Sequence, residues 1–108
     1  MTESGPVFTV VNDTWVMSYA GQLVCGNALS SKRLTIGAQV AGSGTNEGKY
    51  FNIVGSGLSV GPTIRNPVAL NTARTAYLGH GYRIKASAKL TYNGKTYTAT
   101  AYSRTWGP

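Results

Sequence analysis

Asn93-Gly94 separates two runs, residues 82–92 and 95–105, in which apolar residues alternate with polar or cationic ones. Both turn residues accept positive φ, so this pair marks a two-residue hairpin turn more strongly than any other short signal. Such a turn also sets the register. Leu90 then faces Tyr97, Ala88 faces Ala99, Ala86 faces Ala101 and Ile84 faces Ser103 on one side. On the other side Thr91 faces Thr96, Lys89 faces Thr98, Ser87 faces Thr100, Lys85 faces Tyr102 and Arg83 faces Arg104. A slip of one residue would bury the lysines, so the pairing is strongly specified. A chain built around this hairpin is committed to antiparallel sheet.

The remainder is patterned in the same way. PVFTVVNDTWVMSYAG has alternating runs on either side of Asn12-Asp13, which tolerate left-handed conformations, and the implied hairpin sets Val10 against Trp15 and Phe8 against Met17. QLVCGNALSS reads as a short strand running into a loop. In KRLTIGAQVAG, Leu34, Ile36, Ala38 and Val40 alternate with Thr35, Gly37, Gln39 and Ala41, which predicts another strand. GSGTNEG is a loop, and KYFNIVGSGLSVG supplies two short strands or one strand with a glycine bulge near residues 55–57.

The stretch IRNPVALNTARTAYLGHG differs. Asn66 is placed to cap a helix with Pro67 at its first position, and Leu70, Ala73 and Tyr77 share a helical face. Its threonines and asparagine limit that helix to one or two turns, with a long crossing loop as the alternative. Taken together, seven or eight short strands with turn signals about every ten residues predict an all-β fold. The expectation is a single domain over residues 1–108, an antiparallel β-sandwich of immunoglobulin-like or small-barrel architecture with at most one short helix. The paired cysteines and Cys-to-Trp spacing of true immunoglobulin domains are missing, so only the architecture is implied.

Composition bounds the function. A chain of 108 residues buries enough surface to hold a core without metal or disulfide. Charged residues are 12%, against about a quarter in an average domain. Ten Lys and Arg stand against three acids, Glu3, Asp13 and Glu47, for a net charge of +7. Most cations therefore lack an intramolecular carboxylate and favour an anionic surface, whether nucleic acid, phospholipid, an anionic polymer or an acidic protein. Solubility is the plainer use of the same charge. The single cysteine, Cys25, excludes an internal disulfide and sits in an apolar setting suited to a small buried hydrophobe. No basic start with an apolar run opens the chain, and no stretch approaches the ~20 apolar residues of a membrane span. The protein is therefore expected to be used without export or to be a processed chain.

Catalytic chemistry is poorly supplied. GSGTNEGKY fails the phosphate-loop spacing, because Ser43 stands where the first glycine is required and Tyr50 where a magnesium-binding hydroxyl belongs. GSGLSVG fails the dinucleotide spacing. The one histidine, His80, would have to serve as base, oriented by Asp13, Glu3 or Glu47, and its setting between glycines reads as a turn. One His, one Cys and three scattered acids make no metal cluster, and Asp13 with Glu47 is an unsupported glycosidase pair. The expectation is a protein that is not an enzyme, with no cofactor and no metal.

What remains is the polar side of the final hairpin: Arg83, Lys85, Lys89, Tyr102, Arg104 and Trp106. Arg83 opposite Arg104 is unfavourable by roughly 0.2–1 kcal/mol in an isolated sheet. Cations interleaved with aromatic rings hold phosphates by charge and bases or sugars by stacking. The plainer readings are cations that blunt an edge strand against aggregation, or aromatic stems packed under another element with the cations snorkelling outward. These six residues are the candidate partner-binding set. The expected function is a structural or assembly protein, a small coat, decoration or accessory subunit of a virus-like or extracellular particle, whose partners are other protein subunits. A secreted cationic module for an anionic envelope or polysaccharide, antimicrobial or inhibitory, is the first alternative, and a nucleic-acid-binding β-domain the second.

Overall fold

Eight antiparallel strands form two sheets in the computed structural model of the chain. It describes the backbone of residues 2–25 and 31–108 and the side chains of residues 5–25 and 31–108. In chain order they are β1 (Thr2–Val11), β2 (Thr14–Leu23), β3 (Ser31–Ala41), β4 (Tyr50–Asn52), β5 (Leu58–Thr63), β6 (Val68–Thr75), β7 (Tyr82–Tyr92) and β8 (Lys95–Tyr102). One sheet has the order β1-β2-β6. The other runs β4-β3-β7-β8, with β5 sharing the β4 edge of β3. The result is an all-β sandwich, open on one side like a half-barrel. The loop expected after Cys25, and the side chain of Glu3, lie outside the described residues. No helix among the described residues is long and apolar enough to cross a membrane.

Both hairpin turns follow from their residues. Asn12 and Asp13 sit at φ 50° and 61°, Asn93 and Gly94 at 50° and 75°, the double left-handed geometry of a tight turn matched to strand twist. Phe8 accordingly pairs with Met17 and Val10 with Trp15. The β7–β8 ladder runs as expected from Tyr92 opposite Lys95 to Lys85 opposite Tyr102. The GSGTNEG segment is a loop whose one helical feature is a 3-10 turn at Gly44–Asn46. KYFNIVGSGLSVG resolves into β4 and β5 with a connecting loop between them.

The helix or crossing loop expected from residue 66 is instead strand β6, paired with β2 over its whole length. Val68, Leu70, Thr72 and Arg74 turn inward, while Ala69, Asn71, Ala73 and Thr75 are exposed, a period of two that outweighs the helical spacing. Asn66 caps nothing. Its Nδ2 donates to the Cys25 carbonyl at 2.6 Å and its Oδ1 accepts from the Cys25 amide at 2.9 Å.

The core lies where β2 and β6 cross β3 and β7. Met17, Tyr19, Ile36, Ala38, Tyr82, Ile84 and Ala86 form one cluster. Leu23, Leu34, Val68 and Ala88 form a second, with Cys25 half-buried against it. Residues 53–57 plug the gap on β3 between β4 and β5. Ser56 Oγ accepts from the Ala38 amide at 3.0 Å and donates to the Ile53 carbonyl at 2.6 Å, while the Tyr19 hydroxyl donates to the Ser56 carbonyl at 2.7 Å. Burial pushes the Tyr19 hydroxyl pKa up, and the neighbouring Arg74 guanidinium offsets part of that rise. Lys32 continues the inward side of β3 and is 1% exposed, its ammonium donating to the Ile64 carbonyl at 3.4 Å.

Gly21 is the closest approach between the sheets, since a Cβ there would overlap Cγ2 of Ile36. Gly21→Ala is therefore expected to cost about 1–3 kcal/mol by overpacking, and Ile36→Ala about 2–5 kcal/mol by leaving a cavity. In the double variant the new methyl occupies the vacated space, so the two losses should sum to more than the combined effect. Urea denaturation of the four proteins of the cycle measures this, and strict additivity would contradict the close approach.

Candidate functional site

Ile84, Ala86 and Ala88 take the core side of β7, so Arg83, Lys85 and Lys89 project from its outer side. β3 lies alongside and contributes Arg33 opposite Lys89, Thr35 opposite Ser87 and Gln39 opposite Arg83. On the far flank β8 contributes Thr98, Thr100 and Tyr102. The outer face of this sheet is thus a field of cations and hydroxyls. Of the two carboxylates with described side chains, Asp13 is in the β1–β2 turn and Glu47 is exposed in the loop before β4.

Arg83 is the most constrained cation. Its Cζ lies 3.5 Å from the centroid of the Tyr50 ring and 4.1 Å from that of Tyr102. Its Nε donates to Gln39 Oε1 at 2.8 Å, and Gln39 Nε2 in turn donates to Asn52 Oδ1 at 2.8 Å. The Tyr50 hydroxyl is hydrogen-bonded to the Thr105 hydroxyl, which ties β4 to the chain beyond β8 across the Arg83 row. A planar guanidinium held against two rings and at Nε has given up most of its rotamer freedom before any partner arrives.

The expected opposition of Arg83 and Arg104 does not occur. The ladder continues as far as Ser103, whose amide donates to the Ile84 carbonyl at 2.9 Å and whose hydroxyl accepts from the Ile84 amide at 2.8 Å. Pairing then resumes one residue out of step, with Tyr82 and Trp106 exchanging bonds of 2.6 and 2.9 Å. Arg104 and Thr105 together face the single residue Arg83, a β-bulge. Directly paired residues share a side of the sheet, so Trp106 lies on the side of Tyr82, away from Arg83. Arg104 follows it, with Cζ 5.1 Å from the Trp106 ring centroid. The bulge separates the like charges and divides the six predicted residues. Arg83, Lys85, Lys89 and Tyr102 share the outer face, and Arg104 and Trp106 form a second group beyond the bulge.

Tyr50, Gln39, Asn52, Arg33 and Thr105 belong to the outer face without having been singled out in sequence. Gln39 was visible as a member of the outward side of β3, and Arg33 extends the same alternation by one step. Tyr50 and Thr105 are brought in by tertiary pairing alone. His80 occupies the turn before β7, with its ring centroid 6.2 Å from that of Tyr77 and 6.3 Å from that of Tyr82. No group of three metal-ligating side chains forms among the described residues. A depression of ≈ 480 Å³ is on the outside of the other sheet, lined by Gly5, Val7, Ser18, Ala20, Asn71 and Ala73 among others and by no charged group. Comparison with known proteins yields no matching family model, curated protein or solved structure.

If the two rings hold Arg83, a double-mutant cycle of Arg83→Met with Tyr50→Leu should give a coupling of about 0.5–2 kcal/mol by urea denaturation. Tyr50→Phe keeps the ring and removes only the Thr105 bond, so the same cycle run with Tyr50→Phe should give a coupling near zero. Equal coupling in the two cycles would assign the effect to the hydroxyl.

Proposed function

We propose that this protein is a non-enzymatic structural subunit that builds a larger assembly by pairing β8 with β8 of a second copy. The observation that carries this reading is that β8 is uncovered on both faces almost throughout and has one open edge. Tyr97, on the side that should be core, is about half exposed, and Ala99 beside it is exposed too. Natural sheets ordinarily blunt such an edge with a bulge, proline or inward charge. Beyond Lys95 at its start, β8 has none of these from Thr96 to Tyr102.

The hydrogen-bond phase defines how a second copy would dock. The Ser103-to-Ile84 bond places odd-numbered residues of β8 in register with β7. The alternation of an antiparallel ladder then leaves the amides and carbonyls of Thr96, Thr98, Thr100 and Tyr102 pointing to the open edge. A two-fold axis at Ala99 pairs Thr98 with Thr100 and Thr96 with Tyr102 of the second copy, and satisfies all four residues at once. It also sets only threonines and Tyr102 against one another on the outer side, and Tyr97 opposite Ala101 on the inner side. Lys95 meets Ser103, so no cation faces a cation. Such an isologous interface joins the two larger sheets into one. A small coat, decoration or accessory subunit of a particle is the role that suits this geometry.

Light scattering after size exclusion should give twice the chain mass at high concentration. Thr98→Pro removes an edge amide without touching the β7 ladder and should give a monomer with an unchanged far-ultraviolet spectrum. Ala99→Glu, which sets two carboxylates face to face on the axis, should do the same. A wild-type protein that remains monomeric at millimolar concentration rejects the pairing.

A further inference from the structure

The outer face carries a ligand site that the pairing of β8 does not explain. Arg83 is fixed at Nε and against two rings, yet among the described residues neither Nη1 nor Nη2 has a protein acceptor. No described buried side-chain nitrogen or oxygen is left unpaired, so these two groups are open to solvent. Four N–H donors in a plane, held in place and reached by solvent, form the fork that binds an oxyanion in bidentate fashion. Two shallow depressions lie further along the same face, beginning at Lys85, the next outward residue of β7. One of ≈ 260 Å³ is bounded in part by Asn52, Gly37 and Lys85, and one of ≈ 370 Å³ by Arg33, Lys89 and Thr98. Both include Thr35 and Ser87, so they join into a single trough along β3 and β7.

The trough has the dimensions of a linear polyanion. Together with Arg83 just beyond its end, the row from Arg83 to Lys89 spans six residues of strand, about 20 Å. It has a cation at each end and at Lys85, with only small hydroxyl side chains or glycine between them along β7 and β3. Tyr102 is 46% exposed and remains open to stacking at the Arg83 end. Phosphates on a thin, flexible backbone, with flat rings attached, meet every one of these features. A carboxylate chain without rings uses only the cations.

We infer that the outer face of β3, β7 and β8 binds single-stranded nucleic acid. Arg83 is the phosphate fork, Lys85, Lys89 and Arg33 are charge partners for phosphates along the trough, and Tyr102 is a stacking platform for a base. This names a partner for the assembly reading and yet is complete within one chain. Light scattering tests the pairing and the experiment below tests the site, so failure of one is distinguishable from failure of the other.

The test is fluorescence anisotropy with a labelled oligothymidylate of about 12 nucleotides, a length within the range one small β-domain occupies, over a series of salt concentrations. Wild-type protein should bind with an affinity that falls as salt rises. Lys85→Ala with Lys89→Ala should shallow the log–log slope by about 1.4, or roughly 0.7 for each phosphate no longer neutralised. Arg83→Lys preserves the charge, so it should leave the slope unchanged while weakening binding severalfold through removal of the fork. Tyr102→Leu should weaken it about fivefold or more. Thermal melting of each variant confirms that the fold is intact. Equal or tighter binding of a polyaspartate or of duplex DNA would overturn the assignment, as would an unchanged slope in the double lysine variant or no binding by the wild type.

Discussion

Three strands cannot cover four, and the rest of the molecule follows from that mismatch. The sheet β1-β2-β6 packs over β3 and β7, where β1 leans across β7, and it meets β8 only at the margin of β1. Strands are spaced about 4.8 Å apart, so one strand width of the larger sheet is left overhanging. The shape records this. The radius of gyration is 15.2 Å and the extents are 47 × 33 × 20 Å, against about 13 Å expected for a compact domain of this length. The core is consequently confined to the middle of the larger sheet. β7 is buried on one side and hydrogen-bonded along both edges, which makes it a rigid strand with one free face. The cations Arg83, Lys85 and Lys89 are on that strand. They do not lie on the edge, so blunting an edge is not their role.

The β-bulge at Arg104 and Thr105 is the second determinant of the site. Regular pairing would have set Arg83 against Arg104 and kept Trp106 on the cationic face. The Ser103 hydroxyl instead takes the Ile84 amide, the register shifts by one, and Thr105 arrives beside Tyr50. The consequence is electrostatic as well as geometric. A like-charge pair is relieved, the guanidinium of Arg83 gains aromatic neighbours in place of a cation, and its Nη groups are left without a competitor. A single inserted residue thus converts a repulsive pair into a prepared fork.

These two features mark the limit of what the residues disclose by themselves. The all-β class, both tight turns and the register from Tyr92 to Lys85 were legible, because alternation has a period of two and Asn-Gly has few conformational alternatives. Strand β6 was not. Pro67 after Asn66 imitates a helix start, and Leu70, Ala73 and Tyr77 imitate a helical face. What decides in favour of strand is the neighbouring β2, a tertiary partner that no local window contains. The bulge was equally hidden, since nothing in YSRTW distinguishes a regular strand from one that gains a residue. The cationic residues of β7 were legible as a face. The Tyr50 and Asn52 that complete the setting of Arg83 come from β4, whose place depends on β3 having two partners on one edge.

The two outer faces of the sandwich differ in chemistry. On β1-β2-β6 the outward residues include Val7, Thr9, Val16, Ser18, Ala20, Asn71 and Ala73, without a charge among them. On the larger sheet Arg33, Arg83, Lys85 and Lys89 are spread over about 20 Å with no carboxylate beside them on those strands. A plate 20 Å thick, charged on one side and neutral on the other, has a direction. Under the proposed two-fold at Ala99 the larger sheets of two copies become continuous, and inward- and outward-facing residues keep their sides across the junction. Both cationic troughs then face the same way. Mutual repulsion between the two sets of cations opposes that arrangement, and a polyanion lying across both troughs removes the opposition. Binding on the outer face and pairing at the edge would therefore be positively coupled through charge alone, without any conformational change in either chain.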